Sequence, residues 1–387
     1  MARPLAPGGT LGILGGGQLG RMTAIAARRL GYRTLVLDPD PRSPGAQVAD
    51  GHLAGSLEDP DAMRDLARDA DVATYEFENI NAEAVEALEG LIPVYPSSAV
   101  LRVSQHRIRE KTTVARLGAP VPDFRAVETE EDLDAALAAL PFPLVMKTAT
   151  GGYDGKGQAV VRDREEAARA FADLIARAGT LIVERQVDLA VELSVICARD
   201  QDGNLVTYPP AQNRHRHGIL DVTTTPASVD EPIGRRADTI ARAIAEGLHL
   251  TGVLAVEMFV SRTGEVLVNE LAPRPHNSGH HTIEAAATSQ FEQLVRIMAG
   301  LPLGDTRLIR PAAMANLLGD LWGEAGGMPD FSRMLAVPGV RLHLYGKAEP
   351  RPGRKMGHLT VVSPTAEEAL ARVLEARGDG VDRGRER

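Results

Sequence analysis

Along residues 10–100, short apolar runs alternate with longer stretches whose apolar positions recur at helical spacing. Residues 10–14, apolar at Leu11, Ile13 and Leu14, predict a strand, 18–30 a helix, and 33–37 a second strand that ends at Asp38. Residues 61–68 read as helix, 72–77 as strand and 82–88 as helix. Strand and helix in regular alternation predict a parallel α/β unit, which offers ligands the carboxyl ends of its strands. A charged helix bearing Arg107, Arg109 and Lys111 then leads to a turn at Gly118, Ala119 and Pro120.

The pattern changes after residue 112. A smaller mixed unit, 113–190, holds a strand ending at Lys147, a glycine loop, a helix over 165–177 and a strand over 180–184. From 191 to 303 the strands lengthen, at 191–198, 252–260 and 265–270, around a helix at 236–248. Residues 304–387 read as a small appended unit, and the stretch after Glu375 is too poor in apolar residues to pack, so it is expected to be disordered. The expected organisation is therefore an N-terminal α/β domain (1–112), a small domain (113–190), a main domain (191–303) and a C-terminal domain (304–387).

Composition narrows the class. The chain of 387 residues is 44% hydrophobic and 25% charged, as ordinary globular proteins are, and long enough for several cores. Its net charge of −9, with no basic cluster, argues against a nucleic-acid partner but leaves room for a small anionic substrate. A single cysteine, Cys197, excludes an internal disulfide and a cysteine-based zinc site; its apolar surroundings predict a buried thiol. No run of 18 apolar residues and no signal-peptide core occur, so no membrane partner and a cytoplasmic location are expected.

The densest chemical signal is at residues 143–157. An apolar run delivers Lys147 to a strand end, and Gly151, Gly152, Gly155 and Gly157 follow with Tyr153, Asp154 and Lys156 among them. Glycines let a backbone close over a ligand and aim N–H groups at it, and lysines add point charge, a combination suited to a polyphosphate. A Walker A loop is ruled out because Gly157, not a hydroxyl residue, follows Lys156. Of 43 basic residues only five are lysines, Lys111, Lys147, Lys156, Lys347 and Lys355; either they mark sites where a compact ammonium is required rather than a guanidinium, or their placement is chance.

Further constellations each carry an alternative. Gly15, Gly17 and Gly20 satisfy Gly-x-Gly-x-x-Gly between a strand and a helix, with Asp38 ending the next strand; a dinucleotide site and a plain anion-binding turn are both open. Glu257, with Asn269 and Glu270 about a dozen residues later, suits a hard-oxygen Mg²⁺ site across a hairpin, or is a pair of solvent-facing acids. Glu184, Arg185, Gln186, Val187 and Glu192 could present backbone and carboxylates to a nucleoside, or be strand-end charges. His276 and His280 have metal-ligand spacing, but Pro275 and Gly279 oppose the helix it needs. Arg274, His276, Asn277 and Ser278 instead form a donor-rich loop suited to an oxyanion, with Arg214 and His215 as similar donors in a polar loop. Lys347, Arg354 and Lys355 lie in a basic Pro/Gly loop that either clamps a phosphate or is a solvated turn.

Five segments together resemble one family: Gly15-Gly-Gly-Gln-Leu-Gly-Arg-Met22, Tyr75-Glu-Phe-Glu-Asn79, Gly151-Gly-Tyr-Asp-Gly-Lys-Gly157, Asn269-Glu-Leu-Ala-Pro-Arg-Pro-His-Asn-Ser-Gly-His280 and the 347–358 loop. They resemble the ATP-grasp superfamily and, within it, the N5-carboxyaminoimidazole ribonucleotide synthetases of purine biosynthesis. The resemblance implies an ATP-grasp fold of mixed α/β and α+β character, with ATP held between two antiparallel sheets. It implies nucleotide contacts from Arg107, Lys147, Gly152, Tyr153, Asp154, Gly155, Lys156, Gly157, Gln158, Glu184, Arg185, Gln186, Val187, Glu192, His215, Asn269 and Glu270. Magnesium, with manganese as a substitute, would sit on Glu257, Glu270 and Asn269. Gly17, Gln18, Leu19, Glu76, Tyr153, Ser278, Lys347 and Arg354 would line the aminoimidazole ribonucleotide and bicarbonate pocket, and Lys147, Tyr153, Asp154, Arg274, His276 and Asn277 would serve catalysis. A homodimer and product handover to a downstream mutase are family expectations. A formate-using sister that acts on glycinamide ribonucleotide, a dinucleotide-binding dehydrogenase or sensor, and a noncatalytic ATP-binding scaffold remain as alternatives.

Overall fold

Four short parallel strands open the chain: β1 (Thr10–Leu14), β2 (Arg33–Leu37), β3 (Gly51–Leu53) and β4 (Val72–Tyr75), in spatial order β3-β2-β1-β4. The computed structural model describes residues 4–151, 157–323 and 327–379. The loop residues Gly152, Tyr153, Asp154, Gly155 and Lys156, and the end of the charged tail, lie outside the described residues. Helix α1 (Gln18–Arg29) lays Leu19, Met22, Ala26 and Ala27 on one face of the parallel sheet. Helices α2 (Pro60–Asp69) and α3 (Ala82–Glu89) cover the other with Met63, Leu66, Val85 and Leu88. The predicted strand over 72–77 stops two residues early, because Glu76 and Phe77 leave the ladder to meet the glycine turn of residues 15–20.

Helices α4 (Ser98–Ser104) and α5 (Arg107–Arg116) lead into a second, wholly antiparallel sheet of β5 (Phe124–Val127), β6 (Leu144–Thr148), β7 (Gln158–Val161) and β8 (Leu181–Arg185), ordered β5-β8-β6-β7. One face packs Leu144, Met146, Leu181 and Val183 under α6 (Glu130–Ala139) and α7 (Arg164–Ala178). Strand alternation turns Lys147 and Glu184 to the other face.

The third sheet is the largest, built from β9 (Leu189–Arg199), β10 (Leu205–Thr207), β11 (Ala211–Arg216), β12 (Ile219–Thr225), β13 (Gly252–Ser261), β14 (Val266–Ala272), β15 (Ala312–Leu318), β16 (Val340–Leu344) and β17 (Lys355–Val362). Its path runs β14-β13-β9-β11-β12-β15-β17-β16, with β10 beside β9. Helix α8 (Glu231–Gly247) buries Ala237, Ile240, Ala241, Ile244 and Ala245 on Leu193, Val195, Cys197 and Leu254; Cys197 is a free, buried thiol, as its surroundings predicted. After a short α9 (Thr282–Ala285), α10 (Gln290–Met298) packs Phe291, Leu294 and Val295 on the opposite face and against α1.

The strands of the C-terminal unit, β15, β16 and β17, continue the main sheet through pairing of β15 with β12. Two expectations change. Arg214 and His215, expected in a polar loop, lie on β11. The stretch after Glu375 begins ordered: α11 (Phe331–Ala336) precedes α12 (Ala366–Arg377), whose last residue keeps a side chain only 6% exposed. Arg377 Nη1 meets Asp221 Oδ1 at 2.7 Å, and its guanidinium donates to the carbonyls of Asp221 and Asn316. Composition alone undervalues this tail because one arginine finds a buried carboxylate there. Because Asp221 keeps Arg214 and Arg216, Arg377→Ala should cost about 2 kcal/mol, the loss of charge-assisted hydrogen bonds, in equilibrium urea unfolding; an unchanged midpoint would show that last turn to be dispensable.

Candidate active site

A cleft of roughly 370 Å³ separates the second sheet from the third. Arg107, Lys147 and Gln158 line one side, and Glu192, Glu257 and Glu270 the other. Helix α5 anchors the first side. At its amino end the Arg107 N–H donates to Ala149 O at 2.8 Å, and its guanidinium donates to Thr148 O at 2.8 Å and Gly151 O at 2.6 Å, which fixes the entry of the glycine loop. One turn on, Leu271 N–H donates to Glu110 Oε2 at 3.1 Å, and Lys111 Nζ donates to Val268 O at 3.1 Å. Lys147 reaches across its own sheet to Glu184 Oε2 at 2.6 Å.

On the other side, Glu257 and Glu270 sit directly opposite each other in the β13–β14 ladder, next to a bulge. Like charges so placed repel unless a cation lies between them. Burial and the Glu257 charge raise the Glu270 carboxyl above its ordinary range, although Glu270 remains open to water in the cleft. Burial pushes Glu257 up as well, but His276, by charge and hydrogen bond, followed by His215 and Lys355, holds it down to about 2. Two facing carboxylates beside the Asn269 amide are the hard-oxygen donors that Mg²⁺ takes when phosphates and water complete its shell. Among the described residues no group of three or more His, Cys, Asp or Glu could hold a metal by itself.

The donor loop after β14 is braced from behind. Arg274 pairs with both oxygens of Glu78 through one guanidinium edge, Nη2 to Oε1 at 2.8 Å and Nε to Oε2. His276 places Nε2 at 3.0 Å from Glu257 Oε1 and Nδ1 at 2.8 Å from Ser278 Oγ, which in turn accepts from Ser194 at 2.8 Å. Ser278 is thus buried behind His276 and orients its ring rather than lining the cleft. Asn277 lines the cleft with its amide paired reciprocally to Asn316, at 3.1 and 2.5 Å. His215 hydrogen-bonds Glu192; burial lowers its pKa, but Glu192 and then Glu257 outweigh that and leave it raised.

The glycine turn of residues 15–20 is filled from within. Gly17 N–H and, at 2.8 Å, Gly20 N–H donate to the Glu76 carboxylate, and Gly16 N–H donates to Asp38 Oδ2 at 2.7 Å. A Cβ at Gly17 would fall 2.3 Å from Glu76 Oε1, and one at Gly16 would fall 2.1 Å from Ser43 Oγ. The donors a dinucleotide pyrophosphate would need already serve carboxylates of the chain, so the anion-turn reading holds and the dinucleotide reading does not.

The predicted residues therefore divide by position. Arg107, Lys147, Gln158, Glu192, His215, Glu257, Asn269, Glu270, Arg274, His276 and Asn277 share the cleft. Gly17, Gln18, Leu19, Glu76, Ser278, Lys347 and Arg354 stand outside its lining, as do Gly157, Glu184 and the connection Arg185, Gln186 and Val187 between the second and third sheets. Lys355, singled out both by lysine scarcity and by its basic loop, lines the cleft, and Lys347 Nζ donates to Lys355 O at 2.8 Å. Glu78 was visible only as part of a motif, and Ser194 and Asn316 left no sequence signal.

Residues 9–105 match the ribonucleotide synthetase preATP-grasp domain, 112–291 the ATP-grasp domain, and 312–372 the phosphoribosylaminoimidazole carboxylase C-terminal domain. The chain is 43% identical to an N5-carboxyaminoimidazole ribonucleotide synthase of Bacillus subtilis (strain 168) over 95% of both chains. It superposes on the ADP-bound N5-carboxyaminoimidazole synthetase of Staphylococcus aureus with a TM-score of 0.90 at 34% identity, covering 97% of this chain and 98% of that one. An Aspergillus clavatus N5-carboxyaminoimidazole synthase bound to ADP and 5-aminoimidazole ribonucleotide gives 0.88 at 31% identity, covering 96% and 99%.

One bracing pair can be tested by titration. Burial pushes Glu78 up, but the charge and hydrogen bonds of Arg274 hold it down to about 2 in the folded protein. Its stabilisation is therefore complete above the ordinary carboxylate value of about 4.3 and is lost as pH falls toward the folded value. Glu78→Gln should unfold at a lower temperature than the unsubstituted protein above about pH 5, with the two curves converging near pH 2. A gap independent of pH would show that the pair does not contribute through charge.

Proposed function

The chain belongs to the N5-carboxyaminoimidazole ribonucleotide synthetases of the ATP-grasp superfamily, and from that premise we propose how its cleft carries out ATP-dependent carboxylation of aminoimidazole ribonucleotide. The observation that carries the proposal is the confrontation of Lys147, from one sheet, with the Glu257–Glu270 pair, from the other.

ATP enters between the sheets, its phosphates toward Lys147 and Arg107 and its nucleoside toward the 184–187 connection and Glu192. A magnesium ion on Glu257, Glu270 and Asn269 would neutralise phosphate charge when bound. A bicarbonate oxygen attacks the γ-phosphorus and the β–γ bridging bond breaks, giving ADP and carboxyphosphate. Lys147 and Arg107 offset the charge spread over the phosphoryl oxygens, a task of positioning and electrostatics. The exocyclic amine of the ribonucleotide then bonds to the carboxyl carbon, phosphate leaves, and the amine gives up a proton. Arg274, His276 and Asn277, held by Glu78, Ser278 and Asn316, present donors to the carboxyl oxygens. Lys347 and Arg354 with the Glu76 turn receive the ribonucleotide. The reading extends to a homodimer in the cytoplasm that passes an acid-labile product to a downstream mutase; no described helix is long and apolar enough to cross a membrane.

ADP release with Mg-ATP is the test, with aminoimidazole ribonucleotide and bicarbonate varied independently and formate then substituted. Dependence on bicarbonate, stimulation by the ribonucleotide and labelled carbon in an acid-labile product are expected; dependence on formate would transfer the chain to the formyl-using sister reaction. Lys147→Ala and Glu270→Gln should each lower turnover by about 10²-fold or more with the fold retained, and chelation of divalent metal should abolish it. Normal ADP production in either variant would defeat the assignment.

A further inference from the structure

Lys111 is 2% exposed and was given no role by any motif, yet it is a lysine in a chain that otherwise prefers arginine. Its ammonium lies between two sheets. On one side Nζ donates to Val268 O, on β14, at 3.1 Å; on the other it meets Glu184 Oε1, on β8, at 3.1 Å. Glu184, itself 4% exposed, takes its other ammonium from Lys147 at Oε2, at 2.6 Å. One buried carboxylate therefore serves two lysines. Glu110, the neighbouring acid on α5, turns to Leu271 N–H instead.

The two lysines are not equivalent. Lys147 is 14% exposed and lines the cleft, whereas Lys111 has no route to it. When Lys147 turns to phosphate, Glu184 loses its closer partner. A buried carboxylate without a counter-charge is strongly disfavoured, so a single-lysine arrangement would hold Lys147 back. A guanidinium would suit the place of Lys111 poorly, since a compact charge must meet a carboxylate and a carbonyl at once.

We propose that Lys111 is a positioning residue for phosphoryl transfer: its fixed ammonium keeps Glu184 compensated, which frees Lys147 to leave Glu184 for the phosphates of ATP. This rests on the assignment of the cleft to ATP. Because Lys111 also bridges β8 to β14, it ties the sheet that carries Lys147 to the sheet that carries Glu257 and Glu270.

The test is a double-substitution cycle on the intact enzyme, followed by steady-state ADP release and by direct titration with Mg-ADP. Lys111→Met should raise KM for ATP by about tenfold or more, with a smaller fall in kcat. In the Glu184→Gln background, where no carboxylate is left to compensate, adding Lys111→Met should change KM by less than about threefold. An unchanged KM in Lys111→Met, or an equal loss in both backgrounds, would overturn the proposal. If Lys111→Met alone fails to fold, a folded Lys111→Met/Glu184→Gln protein supports charge compensation, and an unfolded one reduces Lys111 to a structural residue. Tight Mg-ADP binding to the unsubstituted enzyme is the separate check on the ATP assignment; without it the functional reading fails first.

Discussion

Strand alternation is the constraint on which the cleft depends. Each strand that brings a charged residue to the cleft sends its neighbours into a core, and neither can move without the other. On β6, Leu144 and Met146 lie under α6 and α7 while Lys147 faces out. On β9, Leu193, Val195 and Cys197 lie on α8, so Glu192 and Ser194 are turned to the opposite face. Glu257 stands opposite Ser194 and Glu270 at once, and therefore shares that face. The catalytic geometry is a by-product of core packing that a one-residue slip would destroy.

Within that frame, charge decides which groups are ready for a ligand. Glu78, Glu184 and Glu257 all have cationic neighbours that overcome burial and hold them ionised, at about 2. Glu270 is different: burial and a facing carboxylate raise it, and the charges of Arg107 and Lys147 only partly offset this. The site thus keeps one acid short of positive charge at the place where a divalent cation with its phosphates would enter. The braces sit one layer back, where Glu78 holds Arg274 and Ser278 holds His276, so the donors are fixed before substrate arrives.

Much of this was legible in the chain, and the reason for each failure is physical. Strands 10–14 and 33–37 were placed to the residue because each is a short run buried on both faces of the parallel sheet and bounded by turn residues. The 252–260 and 265–270 pair predicted the meeting of Glu257 with Glu270 because a short hairpin permits few registers. Strand β11, Ala-Gln-Asn-Arg-His-Arg, was read as a loop because it carries polar side chains toward the cleft and has almost no apolar residue to reveal a period. Lys111 and Glu184 are far apart in sequence, and nothing local to either announces the other. Only the unusual preference for arginine elsewhere singled out the lysine.

The glycine turn after β1 shows why a short motif underdetermines its ligand. Gly-x-Gly-x-x-Gly encodes a backbone that can be approached closely and a helix end that prefers negative charge. It does not encode where that charge comes from. In a dinucleotide site a phosphate supplies it; here Glu76 arrives from the end of β4 and Asp38 from the end of β2. Both carboxylates are carried to the carboxyl edge of the parallel sheet, where the fold would otherwise receive the cofactor. The same edge is left to face the third sheet, with Glu78 two residues past Glu76 crossing to Arg274. Glu76 thus closes the glycine turn at the helix end while Glu78 braces the loop that follows β14, so one short segment after β4 orders two parts of the site at once.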